Sequence, residues 1–203
     1  MRHFSKPRRL LFALYAPTML AIVLAAVQVV QIPLGALPPD SQRLQAAPVW
    51  HFMHVMAGAA FGLIGPLQFS RALKNRFAMV HRVLGHLFVA AGAAISLSTL
   101  ALLWRFPAAY SPAISGGRLV FGTALGLALA RAMRAVFRRD YTRHRNWMIR
   151  AYAIGIGATV VSTVFFPIYV ITGAPPQGMV ADAVFLGSWS ACIAFAEILV
   201  RRI

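Results

Sequence analysis

Cysteine and acidic residues are scarce in this chain. A single cysteine, Cys192, occurs among 203 residues, so one chain can form neither a disulfide nor a cysteine-based metal site. Only four side chains are acidic, and the sequence contains no paired carboxylates. It also lacks a glycine-rich phosphate loop, the histidine spacing of zinc proteases and a nucleophile elbow. Among hydrolytic chemistries, only a Ser-His-Asp arrangement stays open.

Charged residues are also few, and most of them are basic. They make up 12% of the chain against 60% hydrophobic residues, with a net charge of +16. A soluble domain carries about 25% charged residues, and a strongly basic one suggests nucleic acid as the partner. Here the cations fall in short blocks between apolar runs of roughly 20 residues, which is typical of membrane topology. We therefore predict a membrane protein that binds no nucleic acid.

Six apolar runs are long enough to cross a bilayer whose hydrocarbon core is about 30 Å thick. We predict an all-α fold, an integral membrane bundle of six transmembrane helices that forms one domain over residues 1–203. The first run follows a basic N terminus, and no clear small-x-small cleavage site follows it, so we expect an uncleaved helix. The predicted helices span about residues 10–32, 49–69, 83–104, 117–137, 147–172 and 180–200.

The distribution of cations predicts the orientation of these helices. If both termini lie on one side, that side holds 17 of the 20 lysines and arginines. The other side holds only Arg43, Arg105 and Arg118. Because cytoplasmic loops carry an excess of Lys and Arg, both termini are predicted to be cytoplasmic.

Two basic segments, Arg71–Arg82 and Arg134–Tyr152, share a layout. In each, a histidine (His81 or His144) lies ten residues after the first arginine and is followed by another arginine. Helices two and three could then form a parallel repeat of helices four and five. The two histidines would face a shared site, or each would cap a helix or bind lipid phosphate while nearby arginines reach the headgroups.

An acid and a base are predicted to meet inside the membrane. Arg150 lies three residues into the fifth predicted helix, and Glu197 lies three residues before the end of the sixth. Both therefore lie about 4.5 Å from the same membrane face. An unpaired charge at that depth is costly, so we predict an Arg150–Glu197 ion pair with a structural role.

Histidines suggest redox or metal chemistry. A membrane-bound b-type haem needs two imidazoles from facing helices at one depth, and His81 and His144 meet that condition best. His51 and His54 share a helix face and could hold a transition metal with a third ligand from elsewhere. His54 lies near the outer face and His86 near the inner face, roughly 20 Å apart along the membrane normal, so they cannot ligate one iron.

A set of short motifs follows in order along the chain from residue 49 to 202. The motifs are His54 with Gly58, GPLQF at 65–69, Arg71, HRxxG at 81–85, HRxWMIR at 144–150 with Tyr152, and AExxxRR at 196–202. The set resembles the bacterial multi-pass membrane proteins grouped as domain-of-unknown-function family 2306. That resemblance implies a multi-pass protein of the bacterial cytoplasmic (inner) membrane, and no established activity comes with it.

The resemblance also ranks the histidines. His54, His81 and His144 fit the family pattern better than His51 and His86. Similar members carry an arginine about a dozen residues after HRxWMIR, and Thr159–Phe166 has none here, so any role of that arginine is in doubt.

Two functions stay open. The first is a cytochrome-b-like redox protein that binds haem b or a metal, with an anionic substrate as a further option. The second is a non-enzymatic scaffold, lipid-binding or transport component whose basic segments hold anionic lipid headgroups or a protein partner. The candidate ligands of the first are His54, His81 and His144, and the residues that would neutralise propionates or substrate are Arg71, Arg82, Arg145 and Arg150.

Overall fold

The computed structural model describes residues 5–37, 41–107 and 109–202. Every regular element within these ranges is a helix, which confirms the all-α prediction for the described residues. A short 3₁₀ helix (Gln42–Ala46) lies in the first connection. The α-helices are α1 (Ser5–Leu34), α2 (Pro48–Gln68), α3 (Arg71–Arg76), α4 (Ala78–Arg105), α5 (Pro112–Phe137), α6 (Tyr141–Thr172) and α7 (Gly178–Arg202).

Four of these helices, α4 to α7, are long and apolar enough to cross a membrane. Within the described part of α1, the apolar stretch Thr18–Leu34 is shorter than these four. Helix α2, which holds His51 and His54 in its first half, is not among the four. Four of the six predicted spans are therefore supported. The other two crossings, the single domain and the side of the membrane on which the termini lie stay predictions.

The basic segments are more helical than the sequence predicts. The α6 helix begins at Tyr141 instead of 147, because the side chain of Asp140 caps it, with Oδ1 accepting from the Arg143 backbone N–H at 2.9 Å. Only Arg138–Asp140 separates α5 from α6, and the turn places Arg139 at φ 59°. The first basic segment differs, since it holds the separate helix α3 before α4 begins at Ala78 instead of 83.

The helices form a ring with one helix outside it. Helix α2 packs against α1 and α4, α5 packs against α4 and α6, and α1 closes the ring against α6. Helix α7 packs on α6 and α5 from outside. The Tyr15 hydroxyl donates to the Leu63 carbonyl at 3.0 Å, and Gln28 contacts His51 at 3.1 Å, so α1 and α2 run antiparallel.

One end of the bundle collects the basic segments. Helices α2 and α5 end there, and α4 and α6 begin there. We call it the basic end, and we define it by Arg71, Arg82, Arg134 and Arg145. The start of α1 and the end of α7 lie at the same end, because α1 is antiparallel to α2 and Glu197 of α7 contacts Arg150 of α6.

Aromatic side chains pack in the centre of the circle that the helices form. Phe61 stacks on Phe88 with ring centroids 4.2 Å apart, and Tyr152 meets Phe69 edge-on at 5.2 Å. The Tyr152 ring lies against Gly65, where a Cβ atom would collide with it. The glycine therefore permits α2 and α6 to approach closely around these rings.

Helix α7 is attached to its neighbours by polar contacts as well as packing. Near its start, the Ser111 hydroxyl donates to Asp182 Oδ1 at 2.5 Å. Near its middle, the buried indole N–H of Trp189 donates to the Ile154 carbonyl at 2.7 Å. Since burying an unpaired donor in an apolar environment is costly, this partner accounts for the tolerance of a tryptophan here.

Candidate functional site

Two basic helix faces meet at the basic end. Arg131 and Arg134 of α5 are three residues apart, so they lie on one side of that helix, and Arg138 follows directly after its last residue. On α6, Trp147 lies four residues after Arg143 and therefore on the same side of that helix as Arg143. Because α5 and α6 are neighbours joined by a three-residue turn, the two faces line a common space.

That space is a pocket of about 580 Å³, which we call the arginine pocket. Four of its lining residues are arginines and one is an aspartate, a formal net charge of +3. The Asp140 carboxylate serves as the cap of α6. Among the described residues, no carboxylate lies within ion-pair distance of the four guanidiniums. The lining residues are Arg131, Arg134, Ala135, Arg138, Asp140, Arg143 and Trp147.

Trp147 forms one wall of the pocket and orients two cations. The guanidinium carbon of Arg131 lies 4.8 Å from the Trp147 ring centre, and that of Arg150 lies 4.9 Å from it. Each such contact contributes about 0.5–1 kcal/mol at an exposed site. The indole therefore restricts where these two side chains can reach.

Arg150 differs from the pocket arginines because it has a carboxylate partner. Its Nε donates to Glu197 Oε1 at 2.5 Å, and its Nη2 donates to Oε2 at 2.9 Å. This bidentate pair joins α6 to α7 in the geometry expected from the matching depths of the two residues. The side chains are 25% and 36% exposed, so the contact is only partly screened.

A second, smaller cavity continues from the arginine pocket. It measures about 160 Å³ and lies between α5, α6 and α7. Arg131 and Trp147 line both spaces, so the two adjoin. We call it the apolar cavity, since most of its wall is aliphatic. Its other lining residues are Ala124, Leu127, Ala128, Arg150, Ile154, Ile193, Ala196 and Glu197.

The three histidines proposed as ligands do not come together in one site. His54 Nδ1 lies 3.0 Å from the Ser98 hydroxyl, and Ser98 lies 17 residues after His81 on α4. At about 1.5 Å per residue, His54 is therefore roughly 25 Å from His81 along the bundle. Within the described part of the chain, no three His, Cys, Asp or Glu side chains are grouped to hold a metal ion.

The contacts of Ser98 also identify the tautomer of a neutral His54. The Ser98 hydroxyl donates its one hydrogen to the backbone, with the Ala94 carbonyl at 2.6 Å. Its oxygen must then accept from Nδ1–H of His54, which leaves Nε2 unprotonated.

His81 and His144 occupy equivalent positions at the basic end. Each is the fourth residue of its helix, and its backbone N–H bonds to the carbonyl of the residue before the helix, Phe77 or Asp140. Both residues therefore lie in the first turn of a helix that begins at the basic end. This equivalence agrees with the alignment of the two basic segments, although α3 has no counterpart before α6.

The hydrogen bonds of these two rings differ. His144 Nδ1 lies 3.0 Å from the Ala132 carbonyl, which can only accept, so Nδ1 carries a proton and Nε2 of the neutral ring is available to a ligand. His81 Nδ1 is buried and has no hydrogen-bond partner among the described residues. The pair thus offers two ring nitrogens that the described chain leaves unused.

The remaining predicted site residues lie at the basic end outside the arginine pocket. Arg71, Arg82 and Arg145 are exposed, and none of them lines that pocket. The residues that do line it were not singled out from the sequence as a site. The signal was nevertheless present, because arginines three and four residues apart and a tryptophan four residues from Arg143 mark two helix faces.

Comparison with known proteins places the chain in a family. A family described as "Predicted membrane protein (DUF2306)" matches residues 51–200. The chain belongs to this family. The matched range runs from α2 into the last turns of α7 and so includes the arginine pocket, the apolar cavity, and His54, His81 and His144. The DUF2306 assignment confirms the resemblance seen in the motifs and supports a membrane location.

The wider comparisons add no activity to the DUF2306 assignment. No curated protein and no solved structure matches the chain. What the site does must therefore be argued from its own residues.

Proposed function

We propose that this protein binds phosphate-bearing anionic headgroups at its basic end, as a lipid-binding component of the membrane. The observation that carries the proposal is the arginine pocket, in which four guanidiniums surround about 580 Å³ without a carboxylate partner among the described residues. A guanidinium binds phosphate through two parallel N–H···O bonds, which makes arginine well suited to such a ligand.

Its surroundings favour a headgroup over a ligand far from the bilayer. Trp147, a residue type enriched at membrane interfaces, forms one wall, and the aliphatic side chains of the adjoining cavity lie next to it. The cation distribution of 17 against three also favours the cytoplasmic face, where the anionic lipids of a bacterial inner membrane would meet the pocket.

A pocket and a diffuse basic surface make different predictions. Attraction of a basic surface to anionic lipid is about 1 kcal/mol per Lys or Arg and does not depend on which cation is removed. A pocket instead predicts saturable binding that depends on the residues lining it.

The test is a titration of the detergent-purified full-length protein with phosphatidic acid and with phosphatidylcholine. We expect saturable binding of phosphatidic acid alone. The double variant Arg134→Ala/Arg138→Ala should weaken it about tenfold or more, since a hydrogen bond to a charged group contributes about 1.5–3 kcal/mol.

The matched control is Arg201→Ala/Arg202→Ala, which removes two exposed cations at the same end that do not line the arginine pocket. The arginines of the pocket are exposed as well, so the two double variants differ in whether they line the pocket, and the control should change the affinity by less than about threefold. Equal losses in the two double variants would reduce the pocket to generic surface charge and refute the proposal.

A second candidate function is haem b binding for electron transfer, and the equivalent positions of His81 and His144 at the starts of α4 and α6 support it. The unprotonated Nε2 of His144 and the unused ring nitrogen of His81 are the atoms that axial ligation needs. Arg71, Arg82 and Arg145 at the same end would neutralise propionates.

Absorption spectra of the protein expressed with haem supplied, oxidised and dithionite-reduced, test this candidate. A Soret band and a reduced α-band should be lost in His81→Ala and in His144→Ala and kept in His54→Ala. A colourless preparation without stoichiometric metal would exclude it.

A further inference from the structure

The arginine pocket and the apolar cavity form one continuous site. Arg131 and Trp147 line both, so a molecule in the pocket meets the opening of the cavity. Alanines at Ala124, Ala128 and Ala196 create the space, because a larger aliphatic side chain at any of them would occupy it. Ala128 and Ala196 are 1% and 2% exposed, so the cavity reaches the packed interior between α5 and α7.

The volume of the cavity limits what can enter it. At about 160 Å³, it holds about five groups of the size of a water molecule, each of roughly 30 Å³. This volume accommodates the first carbon atoms of one alkyl chain. Two chains of a diacyl lipid would not fit side by side.

The charge of the pocket limits the headgroup in the same way. The net charge of its lining residues is +3. A phosphodiester headgroup carries one negative charge and would leave about two cations without a counterion. A terminal phosphate carries about −1.5 to −2 at neutral pH, and a diphosphate roughly one charge more, which matches the pocket.

From this match we infer that the ligand is a single-chain amphiphile ending in a diphosphate. The diphosphate binds the four arginines, and the chain passes Trp147 into the apolar cavity. This inference rests on the proposed function and adds the chemical class of the ligand.

Arg150 connects the two parts of the site. It gives two of its five N–H donors to Glu197 and lies against Trp147, where head and chain would meet. The donors that remain can bind the phosphate next to the chain without loss of the Glu197 contact.

A free diphosphate shares the head chemistry, so the experiment must separate the two sources. The full-length protein in a maltoside detergent is titrated with farnesyl diphosphate, inorganic diphosphate and dioleoyl phosphatidylglycerol. We expect farnesyl diphosphate to bind tightest, by about tenfold or more over each of the others.

Variants of α5 assign that preference to the cavity. Ala124→Leu, at a half-buried lining position, should bring farnesyl diphosphate close to the affinity of inorganic diphosphate and leave the latter unchanged. Ala130→Leu makes the same change at an exposed position of the same helix that lines neither space, and it should leave all affinities unchanged. Ile193→Trp fills the cavity from α7 and serves if Ala124→Leu does not fold.

The outcomes separate the inference from the proposed function. Equal binding of inorganic and farnesyl diphosphate, or no effect of either cavity variant, refutes the entry of the ligand's apolar chain into the cavity. Either result leaves the proposed anion binding intact. Tightest binding of phosphatidylglycerol overturns both the diphosphate head and the single chain, and it leaves the proposed binding of anionic headgroups intact. Absence of binding for all three ligands overturns the proposed function as well.

Discussion

Glu197→Gln removes the acceptor charge from the bidentate contact with Arg150 and keeps the size of the side chain. Arg150 then holds its charge beside an amide, at a position where its side chain is only 25% exposed. Trp147 remains next to the guanidinium, so the change isolates the Arg150–Glu197 contact.

The magnitude follows from partial exposure. Fully exposed ion pairs contribute about 0.2–1 kcal/mol, whereas removal of one partner from a buried pair costs about 3–5 kcal/mol. Glu197 is 36% exposed, so solvent screens its contact with Arg150. We therefore expect the loss of Glu197 to lower the free energy of unfolding by about 1–2 kcal/mol, closer to the value for exposed pairs. For a chain of this size that lowers the melting temperature by about 2–8 °C.

The assay is thermal unfolding in detergent of a double-mutant cycle built from Glu197→Gln, Arg150→Gln and the double variant. We expect the double variant to be more stable than the sum of the single losses predicts, with a coupling free energy of about 1 kcal/mol. Arg202→Gln, at an exposed position in the last turn of α7, should leave the melting temperature unchanged. A coupling below about 0.3 kcal/mol would show that the contact does not stabilise the α6–α7 packing.

Two further predictions concern stability. Gly157→Ala places a Cβ about 2.5 Å from the Trp189 ring and should lower the unfolding free energy by about 1–3 kcal/mol, whereas Gly187→Ala, with no atom within 4 Å, should be neutral or slightly stabilising in the same melts. Ser111→Ala removes both the cap of α5 on the Ile114 backbone N–H and the donor to Asp182, so it should cost about 1–2 kcal/mol, while the exposed Ser190→Ala should cost almost nothing; equal melting temperatures for the two serine variants would contradict both roles.

Most of the helical architecture could be predicted from the apolar runs, because a bilayer selects for length and hydropathy that single sequences display directly. The matching depths of Arg150 and Glu197 also identified two residues that meet in the structure. Helix starts were less predictable. The sequence predicts a loop at Asp140 and the cations after it. In the structure the Asp140 carboxylate caps α6, which begins six residues earlier than predicted.

The arginine pocket could not be predicted because the same cations carry the topology signal. These cations are counted toward one side of the membrane, and that count accounts for their presence. It does not show that Arg131, Arg134, Arg138 and Arg143 line one space between α5 and α6. Their convergence depends on how α5 packs against α6, which local sequence does not determine. The separation of His54 from His81 could be predicted from their depths in the membrane, whereas the hydrogen bond of His144 to the Ala132 carbonyl depends on packing.

The contacts of α7 fix its axial position. Asp182, Trp189 and Glu197 are seven and eight residues apart, about two turns each, so they form a row along one side of the helix. A slip of a single residue would displace all three from Ser111, Ile154 and Arg150 at once. Such a slip would leave polar groups unpaired in an apolar environment, so it would be costly. The wall that α7 contributes to the apolar cavity is thus set by a contact at the far end of the bundle.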